Sequence, residues 1–245
     1  MSPKPSLRRC LVLILMLEAG PRASAGIVYS AAGDFSIASN PNGVWSYGTT
    51  GTTLTGPLTL YTNTKSGIGG IANWVGWEGT QPMFGDDFPL VGENVGTTTG
   101  TSADIVLLPG ELAEHPAPDG SYAVVRFTAP SSGVFSLDAV FEGREFQGTG
   151  PATSTDVHVL LDGVAIFNGA VLGFGPSSDQ SFMTTLALTA GDRVDFSVGV
   201  GTDGSFLGDT TGPDATLNLA PEPSGFVLVL SALCLTGLSA ARRRW

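Results

Sequence analysis

The sequence predicts an all-β protein, and three observations support this prediction. Apolar and polar residues alternate with a period of two along several segments, which is the pattern of a half-buried strand. These segments recur about every 10–20 residues, with turns rich in Gly, Pro, Asn and Asp between them. Between the two chain ends, no window carries a convincing helical stripe. We therefore expect an antiparallel β-sandwich, and its size favours a jelly roll over a seven-stranded immunoglobulin-like domain.

The alternation is clearest in the second half of the chain. In Val134–Phe141, apolar side chains at every second position would share one face of a strand. Asp162-Gly163 stands between two apolar runs, and it is typical of a two-residue hairpin turn because such turns need positive φ. The strands expected here are Val134–Phe141, Val157–Leu161, Val164–Phe167, Phe182–Thr189, Val194–Val198 and Asp214–Leu219.

The composition excludes two classes of protein. The chain has 245 residues and a formal net charge of −11, and its acidic residues outnumber its Lys and Arg by two to one. Nucleic-acid binding of the usual electrostatic kind needs a basic surface, so we expect no nucleic-acid partner. Intrinsic disorder is excluded because 42% of the residues are hydrophobic and Gly plus Pro stay below the share of low-complexity chains.

The first 25 residues have the pattern of a secretory signal peptide, and an N-terminal signal helix is expected here. Basic residues precede the apolar stretch Cys10–Leu17, which is too short to span a bilayer. Ala23 and Ala25 form a small-x-small cleavage site, so the mature chain is expected to begin at Gly26. A membrane anchor, the alternative interpretation, would need a longer apolar run.

The last 25 residues form a tripartite tail. An apolar run of 17 residues reaches the lower limit of a membrane-spanning helix, and the Arg cluster after it would stay on the cytoplasmic side. Residue physics alone thus predicts an exported domain held by a C-terminal transmembrane helix. The parts are Pro221, Glu222 and Pro223, then Gly225–Ala241, then Arg242, Arg243 and Arg244.

This tail resembles the PEP-CTERM sorting signal of Gram-negative bacteria, and all three parts match in order. The resemblance implies an exosortase-type processing enzyme as partner, cleavage near Pro221–Pro223, and a membrane helix that serves only during transit. It also implies a mature protein on the cell surface or outside the cell. A plain C-terminal anchor, in which Pro221 and Pro223 only break the chain before the helix, is the alternative.

The segment between these ends, residues 26–220, is expected to fold as one strongly acidic domain. It holds four basic and twenty acidic residues, a formal charge of −16. Cys10 and Cys234 both fall outside it, so no disulfide is expected. Four stretches of this segment resemble, in order, a group of secreted β-sandwich domains of environmental bacteria, and such domains look like jelly-roll carbohydrate-binding modules. They are Asn40–Gly48, Val124–Leu137, Thr155–Val171 and Leu188–Leu217.

Enzyme motifs are absent from the sequence, so we expect no catalytic activity. Asp156 and His158 would share one face of a strand, as a base and its orienting carboxylate do, but polar positions on a solvent-facing hairpin explain them better. Paired carboxylates of a glycoside hydrolase stay open, since their separation is a property of the fold.

No motif demands a cofactor, and Ca²⁺ is the candidate that the sequence suggests. Asp203, Asp209 and Asp214 lie in a Gly/Thr-rich region before the last expected strand, and loop carboxylates suit this cation. Against this, Asp is common in turns because its side chain hydrogen-bonds local backbone.

A glycan is the leading ligand hypothesis. Sugar-binding modules stack sugar rings on exposed aromatic side chains and orient the hydroxyls with polar groups. Aromatic residues of a sandwich also pack in its core, and an Arg also pairs with a carboxylate, so each candidate has a structural alternative. The candidates are Trp45, Tyr47, Trp74 and Trp77 for stacking, with His115 and Arg126 for polar contacts.

Three functions are therefore weighed. The first is an exported, non-catalytic surface or matrix protein that binds exopolysaccharide or another glycan. The second is a structural or adhesive surface protein without a sugar site, which burial of the tryptophans would favour. The third, an exported glycan hydrolase, requires a cleft that holds two carboxylates.

Overall fold

The computed structural model describes residues 26–220; the expected signal peptide, the sorting tail and the helix expected in each lie outside the described residues. The described part is all-β, with two short 3₁₀ helices, Ile68–Gly70 and Gly175–Ser178. Within it, no helix has the length and apolar character needed to cross a membrane. The strands are β1 (Ile27–Ser30), β2 (Trp45–Thr49), β3 (Thr59–Leu60), β4 (Asn63–Ser66), β5 (Trp74–Met83), β6 (Asp86–Asn94), β7 (Gly100–Ser102), β8 (Ile105–Leu107), β9 (Leu112–His115), β10 (Ala123–Thr128), β11 (Gly133–Gly143), β12 (Ser154–Leu161), β13 (Val164–Leu172), β14 (Gln180–Leu188), β15 (Arg193–Gly199) and β16 (Thr211–Leu219).

The strands form two main antiparallel sheets, in agreement with the expected β-sandwich. The eight-stranded sheet has the order β14-β11-β16-β9-β6-β5-β4, and β1 also pairs with β16. The six-stranded sheet has the order β13-β12-β15-β10-β2-β3, and β7 pairs with β8 as a separate ribbon. Most neighbours are distant in sequence, so the sheets hold remote parts of the chain together.

The strands expected in the second half of the chain are confirmed. Val134–Phe141 lies within β11, where Phe135, Leu137, Ala139 and Phe141 are all buried on one side. The hairpin turn between β12 and β13 has φ of 49° at Asp162 and 80° at Gly163, as a type I′ turn requires.

The interior core lies between the two sheets. It takes the alternate apolar side chains of both sheets, for example Phe135 of β11, Val157 of β12 and Phe196 of β15. Burying each such side chain stabilises the fold by about 1.5–3 kcal/mol, so this cluster is the main source of stability.

A second, smaller cluster covers the opposite face of β5, β6 and β9. In β9, Leu112 belongs to the interior core, whereas the next residue, Ala113, belongs to this outer cluster, because neighbouring residues of a strand face opposite ways. The outer cluster consists of Ile68, Ile71, Trp74, Phe88, Leu90, Leu107, Ala113 and Ala117.

Candidate functional site

A pocket of about 270 Å³, which we call the aromatic pocket, opens beside the outer cluster. Its floor contains the buried residues Trp74, Phe88 and Leu90. Its rim contains Phe84, which is 78% exposed, and Leu207, which is 44% exposed. An exposed apolar rim next to a buried apolar floor is the usual form of a small-ligand site.

Phe84 reaches the rim because it forms the turn of the β5–β6 hairpin. Met83 pairs with Asp86, and the two residues between them, Phe84 and Gly85, have φ of 55° and 94°. Positive φ costs a side chain with a Cβ about 1–2 kcal/mol, so glycine would suit position 84 better. The hairpin thus holds an exposed ring in an unfavourable backbone conformation, which is a feature typical of functional sites.

Four rings are grouped around the pocket. Phe206, from the loop between β15 and β16, lies with its centroid 6.4 Å from Phe84 in a stacked arrangement. The same ring stands 5.8 Å from Phe88 and 6.0 Å from His115, both in edge-to-face geometry. Phe88 and His115 are 4.7 Å apart. The hairpin, the β15–β16 loop and the end of β9 therefore build the pocket together.

His115 presents a hydrogen-bond acceptor to this pocket. Its Nδ1 lies 2.8 Å from the carbonyl oxygen of Pro116, and since a carbonyl only accepts, Nδ1 carries the proton. Burial lowers the pKa of His115, which outweighs the nearby Glu145 carboxylate, so the ring is neutral at pH 7. Nε2 is then unprotonated, and it lies 3.9 Å from Glu145 Oε1.

Two buried carboxylates complete the polar part of the pocket. Glu145 accepts a hydrogen bond from the backbone N–H of Thr210 at 3.2 Å, and another from the Thr210 hydroxyl. Asp86 pairs with Lys65 through Oδ1 and accepts from the N–H of Gly69 at 3.0 Å through Oδ2. These contacts fix both carboxylates in place.

The four aromatic residues expected to stack on sugars are buried, which corrects that expectation. Trp45, Tyr47 and Trp77 belong to the interior core, and Trp74 belongs to the outer cluster. Trp45 also donates to Asp34 Oδ2 at 3.2 Å, and Trp77 to the Ser36 carbonyl at 2.9 Å. Since alternate positions of inner strands face the core, Trp45, Tyr47 and Trp77 offer no free face at the surface, whereas Trp74 lies at the floor of the aromatic pocket.

The two polar candidates have different outcomes. His115 lines the aromatic pocket together with Trp74, so the structure brings these two expected residues into one site. Arg126 lies elsewhere, on β10, and forms a bidentate pair with Asp195 of β15 at 2.6 and 2.7 Å. A guanidinium held in this way on a neighbouring strand has a structural partner, and Arg126 does not line the aromatic pocket.

The three aspartates suggested for Ca²⁺ do not form one site. The Ser154 hydroxyl donates to Asp203 at 2.8 Å and stands 3.4 Å from Asp209, whereas Asp214 lines a separate pocket with Arg144. Within residues 26–220 no cluster of three potential metal ligands occurs. Burial raises the pKa of Asp209 to about 9, so this carboxyl is protonated at neutral pH.

Asp156 and His158 do share one face, as expected, and they belong to a hydrogen-bonded network. Asp156 Oδ2 lies 2.7 Å from His158 Nε2 and accepts from the Tyr122 hydroxyl at 3.0 Å. The other ring nitrogen of His158 lies 2.7 Å from Asn168 Oδ1. These partners tie β12, β13 and the start of β10 together, so the network has a structural role.

Most residues of the pocket are not among those predicted from the sequence. Asp86 and Glu145 lie at or beyond strand ends, and Phe206 and Leu207 lie in a loop without a periodic pattern. One feature of the sequence could have indicated the pocket. Gly85 is typical of a hairpin turn, and the bulky apolar Phe84 beside it is unusual for a turn.

Comparisons with known proteins find only distant structural similarity. No protein-family model matches the chain, and no curated protein matches it. A family 35 carbohydrate binding module from Clostridium thermocellum is 13% identical over 60% of this chain and 88% of that chain, with a TM-score of 0.28. CBM51 from Clostridium perfringens GH95, in complex with methyl-galactose, is 16% identical over 65% and 94%, with a TM-score of 0.32. Rabbit GITRL is 14% identical over 41% and 74%, with a TM-score of 0.26. These scores are too low to assign a function.

Proposed function

We propose that the protein is an exported, non-catalytic surface or matrix protein that binds exopolysaccharide or another glycan in the aromatic pocket. The observation that carries the proposal is the exposed Phe84 ring, stacked with Phe206 beside the polar groups of His115, Asp86 and Glu145. Sugar rings have apolar faces that pack on aromatic side chains, while their hydroxyls need fixed polar partners. The pocket offers both within one concavity.

The size of the pocket favours recognition of a single sugar or a chain end. Its volume of about 270 Å³ lies just below the usual range of ligand pockets, roughly 300–1,000 Å³. A long open groove would instead bind several sugar units side by side. We also propose that the sandwich is of the jelly-roll type, because the size of the domain favours it over a seven-stranded immunoglobulin-like domain.

The carboxylates support binding without hydrolysis. A glycosidase needs one carboxyl group free to donate a proton and another free to attack or activate water. Both oxygens of Asp86 are engaged by Lys65 and Gly69, and Glu145 Oε1 is engaged by Thr210. Because a carboxylate has about four acceptor sites, these fixed groups can still accept hydrogen bonds from a ligand and orient it.

The chain ends support export. We propose that residues 1–25 direct secretion and that residues 221–245 hold the protein in the inner membrane until an exosortase-type enzyme processes it. Mass spectrometry of the exported form tests this: a C-terminus near Pro221–Pro223 is expected, and an intact peptide ending in Trp245 would contradict the sorting role.

A glycan array tests the binding function. Full-length protein is applied to neutral, amino and acidic oligosaccharides, together with the variants Phe206→Ala and Phe174→Ala. Phe174 is an exposed aromatic residue that does not line the pocket. We expect binding that Phe206→Ala abolishes and Phe174→Ala preserves. Absence of binding to every glycan would contradict the proposal.

A structural or adhesive protein without a sugar site is the second candidate. It is favoured by the burial of the four aromatic residues first considered, and by exposed apolar side chains on the edge strands. Leu172 of β13 is 68% exposed, and Met183 of β14 is 73% exposed. A silent array combined with concentration-dependent self-association would favour this function.

A further inference from the structure

We infer that the ligand carries a protonated amino group, so that the glycan is an amino sugar with a free ammonium. The inference rests on the proposed function, because it concerns the same pocket. It follows from the hydrogen-bonding character of the lining, from its charge and from its rings.

The polar side chains of the pocket are acceptors. Asp86 and Glu145 are carboxylates, and the unprotonated Nε2 of His115 accepts as well. Trp74 carries a donor, but its buried Nε1 lies against Gly92. A lining of acceptors requires a ligand rich in donors, and an ammonium group supplies three N–H donors with a positive charge.

The charge of the lining points the same way. Its carboxylates are anionic, and none of its residues within the described part of the chain is Lys or Arg. Lys65 neutralises Asp86 from one side, which leaves Glu145 as the carboxylate without a cationic side chain near it. A cationic ligand would therefore gain a charge-assisted hydrogen bond here, whereas a uronic acid or a phosphate would be repelled.

The grouped rings favour a cation further. Aromatic faces attract ammonium groups through their quadrupole, and this attraction grows when the site excludes water. Phe88 and His115 are buried, and Phe206 packs against both, so part of the pocket is dry. The acidic domain, with twenty acidic and four basic residues, also draws cations towards it.

An acetylated sugar is a poorer match. Acetylation removes the charge of the amino group and adds a carbonyl, which needs a donor. The acceptors of Glu145 and His115 cannot serve that carbonyl. The pocket is thus expected to distinguish glucosamine from N-acetylglucosamine by the charge of the sugar's amino group.

Calorimetric titration tests the inference. Full-length protein is titrated with trimers of glucosamine, N-acetylglucosamine and glucose at pH 7 and 150 mM salt. We expect the glucosamine trimer to bind at least about tenfold more tightly than the others, since one lost charge-assisted hydrogen bond has that magnitude. Glu145→Gln keeps the oxygen that accepts from Thr210 but removes the charge, and should reduce this preference about tenfold.

Two controls separate the pocket from general attraction to an acidic protein. Asp138→Asn removes the same charge from the exposed face of β11, and should leave the affinity unchanged. Phe206→Ala should weaken binding. If Glu145→Gln melts early, Asp86→Asn serves as a second variant, because it leaves the Lys65 cation without its partner beside the pocket and should also weaken binding of a cationic ligand. Glucosamine binding that survives both Phe206→Ala and Glu145→Gln would overturn the inference.

The remaining outcomes distinguish the inference from the function on which it rests. Equal or tighter binding of the acetylated or neutral trimer, abolished by Phe206→Ala, would overturn the amino-sugar inference and leave glycan binding standing. No binding of any trimer, with a silent array, would overturn both.

Discussion

The interior core and the aromatic pocket are both built from aromatic side chains, but these side chains are buried in the core and lie at the surface around the pocket. In the interior core, aromatic residues such as Trp45 and Phe127 sit at alternate positions of paired strands, and both are fully buried. In the aromatic pocket, Phe84 and Phe206 sit in a hairpin turn and a loop, where no neighbouring strand covers them. Trp45 and Phe127 therefore serve as packing groups, whereas Phe84 and Phe206 lie where the backbone leaves the sheet and are the rings that we propose to contact the ligand.

The largest expected effect concerns the interior core. Trp45 packs with ring centroids 5.4 Å from Phe127 and 6.4 Å from Phe196. Trp45→Ala should lower the free energy of unfolding by about 3–5 kcal/mol, because it leaves a cavity between the sheets. Urea denaturation measures this change. A loss below about 1 kcal/mol would show that Trp45 contributes little to core packing, and would contradict the distinction between the interior core and the aromatic pocket.

Loss of the Arg126–Asp195 pair should lower stability, as a change in the interior core does, without changing the glycan affinity of the aromatic pocket. Both side chains are largely buried, at 14% and 7% exposure. Arg126→Met should lower the free energy of unfolding by about 2–4 kcal/mol, because it leaves a buried carboxylate unpaired. Glycan affinity of the folded variant should stay at the wild-type value. A variant that keeps the wild-type stability but loses glycan affinity would indicate that Arg126 contacts the ligand.

Asp209, beside the loop that carries Phe206, links stability to pH. Burial raises its pKa to about 9 from an ordinary value of 3.8, so the folded state holds a proton that the unfolded state releases. Its contribution to stability is full below pH 4 and is lost as the pH rises to about 9.

Asp209→Asn should remove this dependence. We expect the variant to gain at least about 1 kcal/mol over the wild type at pH 8, and less at pH 5. Denaturation curves at both pH values measure the difference. An equal effect at both would contradict burial of an uncharged carboxyl.

The smallest effect on stability is expected at Phe84. Glycine tolerates the positive φ of this turn, so Phe84→Gly should keep or raise the free energy of unfolding, by up to about 1 kcal/mol. Glycan binding should nevertheless fall, because the exposed ring is gone. A destabilised variant would show that Phe84 is a packing group, like Trp45.

The same comparison explains how far the sequence was informative. Alternation found β11 and the β12–β13 hairpin because strand burial has a period of two, and Asp162-Gly163 is a favourable turn. The alternation could not show whether Trp45 packs in the core or binds a ligand, since an aromatic side chain near a turn is typical of both. Glu145 and Phe206 were missed because long-range pairing alone brings their segments together.

Indole NMR of the full-length protein tests the central claim most directly. Trp74 lies at the floor of the aromatic pocket, whereas Trp45 and Trp77 lie in the interior core. Trp→Phe variants assign these three of the four indole signals of the full-length chain. During titration with the glucosamine, N-acetylglucosamine and glucose trimers, the bound sugar should shift the Trp74 indole signal and leave those of Trp45 and Trp77 in place. Saturable shifts of Trp45 or Trp77 with an unchanged Trp74 signal would contradict the aromatic pocket as the binding site.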